Sequence, residues 1–199
     1  MTVTERADAA HNRAAVLTAA EALFQREDLE HVSLARIAQA AGVGKATVMR
    51  RFGDLLGLVE ALIAPRVAAL QDRVRSGAPP LGPGGDAGAR LHAYLDALFD
   101  FVAENRTLIR ALEHYAPHAY YANPASQFWI DELTDRIRAA RPSVDAGYLA
   151  YAVFTALRAD VIDYLRQHRH MATERIRAGV HALADPPDPG PVSTSPDPH

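Results

Sequence analysis

The chain has 199 residues, enough for one large domain or two small ones, and with 49% hydrophobic residues it can bury a substantial core. It contains no cysteine, which excludes disulfides, thiolate catalysis and cysteine-based metal centres. The formal net charge is −3, and no apolar run reaches the roughly 18 residues of a membrane span, so neither a bulk cationic surface nor a membrane helix is expected.

Ala, Leu, Arg and Glu recur while β-branched runs are scarce, which favours an all-α fold. The opening residues MTVTERADAAHN are polar and lack the apolar core of a signal peptide, so a bacterial cytoplasmic protein is expected. Charge is unevenly spread. Residues 1–53 carry net +1 and the remainder −4. Within 31–53 the cations Arg36, Lys45, Arg50 and Arg51 occur with no carboxylate among them. A local basic patch on an acidic chain suits a small DNA reader.

In chain order, the first helical pattern runs from about His11 to Arg26, with Val16, Leu17, Ala20, Leu23 and Phe24 on one face. Ser33 is the candidate N-cap of a second helix, 34–41. Gly42 breaks the pattern, and a short third helix covers 45–52. Asp54 should cap a long fourth helix to about Arg75, kinked near 62–65 because Pro65 removes a backbone donor. SGAPPLGPGGDAG (76–88) reads as a loop. Helices are then expected over 87–104, 106–115, 125–140, 143–166 as one long element, and 173–184, about nine in all. The Pro-rich tail 185–199 is expected to be disordered.

The segment SLARIAQAAGVGKATVMRRF has the layout of a helix-turn-helix. Leu34, Ile37, Ala38, Ala41, Val43, Val48 and Phe52 supply its interior and Gly42 its turn, leaving Lys45, Thr47, Arg50 and Arg51 on the outer face of the third helix. The stretch from Asn12 to Leu62 resembles the N-terminal domain of the TetR family, through the AGV turn at 41–43, Thr47, Phe52, Asp54 and Leu58. The resemblance implies a DNA-binding domain at 1–53 and a larger helical effector-binding and dimerisation domain at 54–184. It implies a repressor released from a palindromic operator by a small molecule, and a homodimer through the last two helices; no nucleophile–base motif, Gly-rich phosphate loop or metal set is visible, so neither enzymatic activity nor a cofactor is expected. The candidate DNA contacts are Ser33, Arg36, Gly44, Lys45, Ala46, Thr47, Met49, Arg50 and Arg51. Three positions depart from the family pattern: Gly44 replaces Ser or Thr, Met49 replaces Tyr, and Leu55 replaces Lys. Met49 cannot donate a hydrogen bond and Leu55 carries no charge, so an alternative is an effector-binding protein with a weakened DNA head.

In the second half, HYAPHAYYANPASQFW (114–129) concentrates Tyr115, Tyr120, Tyr121, Phe128 and Trp129, either as core packing or as a pocket wall. The candidate ligand-binding residues are Phe99, Tyr115, Tyr121, Phe128, Trp129, Phe154 and Arg158. Arg158 sits in an apolar stretch and needs a partner, either Asp163, Glu132 or Asp131, or a ligand carboxylate. His114 and His118 are four residues apart beside Glu113, but Pro117 interrupts the helix and no third ligand is evident, so no metal site is expected. Leu149, Ala152, Val153 and Ala156, with Ile176, Val180 and Leu183, offer an apolar face for a symmetric four-helix interface or for the chain's own core.

Overall fold

The computed structural model describes residues 3–117 and 120–184; His118 and the tail 185–199 lie outside the described residues. Ten α-helices and a 3₁₀ turn at Leu29–His31 make up the chain, with no strand among the described residues. The helices are α1 (Val3–Arg26), α2 (Leu34–Ala40), α3 (Lys45–Phe52), α4 (Leu55–Ser76) and α5 (Ala87–Glu104). They continue as α6 (Arg106–Tyr115), α7 (Pro124–Ala140), α8 (Ala146–Ala156), α9 (Ala159–Gln167) and α10 (Thr173–Ala184).

The first three helices form a small head. Val16, Ala20 and Phe24 recur every four residues on α1 and are buried against Ile37, Ala38 and Val48 of α2 and α3. Burying a side chain the size of Phe24 stabilises by about 1.5–3 kcal/mol, which is how so short an α2 and α3 hold their shape. The Ser33 hydroxyl accepts from the Arg36 N–H at 3.3 Å and starts α2. Gly42, at φ +67°, makes the turn, and the Val43 N–H returns to the Ala38 carbonyl at 3.0 Å. Gly53, at φ +77°, ends α3, and the Asp54 carboxylate caps α4 through the Gly57 N–H at 2.9 Å.

Helix α4 runs unbroken through Pro65 and links head to body: it packs on α1 and α3 at one end and on α6 along its length. The body is built from α5 to α10, with α7 against α5 and α8, and α10 across α5 and α8. Its core is anchored by Tyr94, which is fully buried and donates to the Trp129 carbonyl at 3.1 Å.

Several elements differ from their sequence reading. Helix α1 begins at Val3 rather than near His11. The expected helix 143–166 starts only at Ala146, where Asp145 caps it through the Tyr148 N–H at 3.0 Å. It then breaks at Leu157–Arg158 into α8 and α9, giving ten helices rather than nine. The break has a tertiary cause: the buried Glu113 of α6 accepts from the N–H groups of Ala159 at 2.8 Å and Asp160 at 3.0 Å, supplying an N-terminal cap where a continuous helix would have its own carbonyls.

The buried arginine is Arg136, only 3% exposed, and not Arg158. Arg136 donates to the carbonyls of Arg90 at 3.0 Å and Leu81 at 2.8 Å, fastening the loop before α5 to α7. Arg158 is half-buried, and its partner is Asp160, gripped through two bonds of 2.9 and 2.7 Å, rather than Asp163, Glu132 or Asp131. Of the apolar face expected for a partner, Val153, Ile176 and Val180 are buried within the chain itself, because α10 folds back on α5 and α8.

Candidate nucleic-acid interface and effector cavity

Helix α3 presents Lys45, Ala46, Met49, Arg50 and Arg51 to solvent, while Val48 on its inner face is fully buried and Thr47 is half-buried. Lys45 and Arg50 make no side-chain hydrogen bond or ion pair among the described residues, so both charges are available to a phosphate or a base edge. The Arg51 guanidinium donates to the Ala9 carbonyl and so braces α3 against α1. Arg13 of α1 adds to that brace, lying 5.8 Å from the Phe52 ring centroid. Arg36 is held by Glu27 through bonds of 2.5 and 2.6 Å and by the His31 carbonyl at 3.0 Å. With the Ser33 hydroxyl already on a backbone N–H, the start of α2 is tied into the head itself. Gly44 is the N-cap of α3 and has no side chain to fill that role, leaving the first amide groups of the helix open. Met49 is 49% exposed in the middle of this face. Leu55, the first residue of α4, is half-buried and packs against the core.

Below the head, a cavity of about 380 Å³ opens between α4, α5, α6, α7 and α8. Helix α4 supplies one wall from Leu56 to Gln71. Phe101, Tyr120, Trp129 and Phe154 supply aromatic surface opposite. The Phe101 and Trp129 ring centroids are 6.0 Å apart and those of Tyr120 and Phe154 are 5.3 Å apart. Burial pushes the Tyr120 hydroxyl well above the usual phenol range, with the nearby Glu113 charge adding to the shift, so the ring stays neutral. Polar groups on the wall are few. Asn123 caps α7 by accepting from the Ser126 N–H at 3.0 Å, and it donates to the Ser126 Oγ at 2.9 Å and the Tyr120 carbonyl at 3.0 Å. Such a chamber suits an apolar small molecule.

Of the residues singled out in the sequence, Trp129 and Phe154 line this cavity. The others lie elsewhere. Phe99 is buried under Arg177, whose guanidinium is 4.5 Å from the ring. Phe128 packs under Arg75 at 4.5 Å. The Tyr121 hydroxyl shares a hydrogen bond with Thr155 Oγ1 at 3.1 Å. Arg158 lies over the Tyr120 ring at 4.7 Å and is not among the residues that line the cavity. Tyr115 reaches toward the head and donates to the Leu29 carbonyl at 3.1 Å. What sequence reading missed is the contribution of α4: Glu60, Ile63, Ala64, Val67, Ala68 and Gln71 all face the cavity. Their spacing of three and four was visible, with small Ala64 and Ala68 at its centre, but only the fold shows that this stripe meets empty space.

Head and body are also fastened by Arg66 of α4, which donates to Asn105 Oδ1 at 2.7 Å and pairs with Glu21 of α1. Among the described residues, no group of three His, Asp or Glu side chains is arranged to hold a metal ion, and no helix is long and apolar enough to cross a membrane.

A helix-turn-helix with a free cationic face, joined through one long helix to an all-helical body, defines a DNA-binding transcriptional regulator. Residues 16–62 match the family model described as bacterial regulatory proteins, tetR family, which places that family's DNA-binding domain at the N-terminus of the chain. No curated protein matches the sequence significantly. Among solved structures, the fold is similar to the fatty acid degradation regulator FadR from Bacillus halodurans, with a TM-score of 0.64 at 16% identity over 86% of this chain and 93% of that one. It is similar to a TetR-family regulator from Rhodococcus sp., with a TM-score of 0.62 at 23% identity over 87% and 97%. It is also similar to NalD from Pseudomonas aeruginosa, the secondary repressor of the MexAB-OprM multidrug efflux pump, with a TM-score of 0.60 at 20% identity over 89% and 95%.

Proposed function

We propose that this chain is a homodimeric repressor whose grip on a palindromic operator is controlled by a small molecule held in the cavity against α4. Residues 1–53 read DNA, with Lys45 and Arg50 carrying most of the phosphate and base contact, and residues 54–184 bind the effector and pair the two copies. The observation that carries this reading is the double role of α4: it forms one wall of the cavity and also packs on α3. A ligand that fits one position of α4 better than another shifts the separation of two recognition helices, and only such differential affinity can release DNA. The chain works by binding, in the bacterial cytoplasm, without catalysis.

The symmetric interface falls on the outer face of α8 and α9. Tyr148 is 77% exposed, Tyr151 is exposed three residues further along α8 and Tyr164 is exposed on α9, rings that an isolated body leaves in water. The Leu183 side chain of α10 is exposed as well.

Selection of bound fragments from genomic DNA tests this function. Recovery of a palindrome with half-sites about one or more helical turns apart is the expected result. Recovery of no specific sequence, even at low salt, favours a second reading, an effector-binding protein with a weakened DNA head. The exposed Met49, which offers a phosphate no donor, is the observation behind that second reading.

A further inference from the structure

We infer that the cavity against α4 selects lipophilic cations: molecules with an extended or aromatic apolar body and one positive charge. The inference rests on reading the cavity as the effector site. Among the described residues that line the cavity, Glu60 is the only charged side chain. The cations that approach the region are committed elsewhere. Arg66 is held by Asn105 and Glu21, and Arg158 by Asp160. Arg110 lies 3.7 Å from Glu113 and 3.6 Å from Asp163. An anionic ligand would lose its water with no cation to receive it, and would meet the Glu60 carboxylate at the rim.

A cation meets the opposite conditions. Glu60 is exposed on α4, where a carboxylate keeps its hydration until a partner arrives. Phe101, Trp129 and Phe154 offer ring surface with a negative face, the kind of surface on which a desolvated cation is held. Tyr120 is not counted among these rings, because the Arg158 guanidinium already stands over it at 4.7 Å. The Asn123 and Ser126 side chains bond each other and nearby backbone, and so place no demand for a polar ligand group. Gln71, the other polar side chain of the α4 wall, stands three helical turns from Glu60, about 16 Å along the axis, so the wall suits an elongated molecule with its charge at the Glu60 end.

Trp129 is the single tryptophan of the chain and lies on the cavity wall, so its emission reports occupancy. The dimer is titrated with decyltrimethylammonium, decan-1-ol and decanoate, each below its micelle concentration. The expected order of affinity is cation, then alcohol, then carboxylate. Glu60→Gln should weaken decyltrimethylammonium by roughly threefold, as loss of a solvent-facing ion pair does, and leave decan-1-ol unchanged. Decanoate binding as tightly as the cation, or a cation-to-alcohol ratio unmoved by Glu60→Gln, overturns the charge selection while leaving the cavity as an effector site. No emission change with any of the three, or changes that persist in a cavity-filling Ala68→Phe variant, removes the effector reading and this inference with it.

Discussion

The Glu113 carboxylate of α6 receives the Ala159 N–H at 2.8 Å, across 46 residues of sequence, and with it the end of one helix becomes the beginning of another. Its second oxygen takes the Asp160 N–H at 3.0 Å. The side chain is almost wholly buried with Arg110 at 3.7 Å, and the Ala159 N–H, the Arg158 charge and the Asp160 N–H offset the desolvation only in part. The junction it creates stands beside Phe154 and Leu157, which line the cavity, and leads directly into the exposed tyrosine face of α8 and α9.

Replacing Glu113 by Ala strands two amide donors in the interior. A cost of about 2–3 kcal/mol is expected, read as a lowered urea midpoint without a change in slope. An unchanged midpoint would show that water serves the α9 terminus equally well.

Acidification separates Glu113→Gln from the wild type. Burial is the main cause holding the Glu113 proton more tightly than in a free side chain, and the Asp160 charge adds to it. The folded chain therefore binds this proton more readily than the unfolded chain does. The contribution of the group to stability rises as pH falls through its folded-state value and levels off below its ordinary value of 4.5. Wild-type stability minus that of Glu113→Gln should grow on acidification across that window and stay flat above it. Urea titrations at a series of pH values measure the difference, and a decrease on acidification contradicts the assignment.

On the DNA face, Lys45→Ala and Arg50→Ala should each reduce the slope of log affinity against log salt by about 1. Arg51→Ala should move the slope less and stability more, because its guanidinium braces the Ala9 carbonyl. Anisotropy titrations on a selected operator at several salt concentrations distinguish the three. Equal slopes for all four proteins would place the interface elsewhere.

Met49→Tyr should strengthen operator binding. It puts a hydroxyl donor on an exposed position of α3 where the methionine offers none. One new hydrogen bond to phosphate is worth about 1 kcal/mol, or some fivefold in affinity. A weaker complex would mean that Met49 itself packs on the DNA.

Tyr151→Arg places a charge in the centre of the proposed subunit interface. Sedimentation should show a monomer with unchanged helical content and much weaker operator binding, since one head alone reads half a palindrome. A variant that remains dimeric would move the interface off α8.

The head was legible because its causes are local. Ser33 and Asp54 cap helices three residues ahead of themselves, Gly42 turns through a left-handed conformation, and Val16, Ala20 and Phe24 repeat at the helical period. The cavity and the α8–α9 break were not legible, because each depends on groups far apart in the chain. A stripe holding Ala64 and Ala68 looks the same whether it meets another helix or a void. The apolar run from Tyr148 to Leu165 looks continuous unless Glu113 is known to arrive at its middle.

The amino-acid sequence by itself determined that this is a helical protein with a helix-turn-helix near its N-terminus, since capping, turn chemistry and apolar period act over three or four residues. The tertiary structure decided which charges are free. It ties Arg36 to Glu27 and Arg51 to Ala9, leaves Lys45 and Arg50 open, and turns the aromatic surface of Trp129 and Phe154 toward α4. Those outcomes depend on the distances between side chains brought together by packing, which no spacing along the chain encodes.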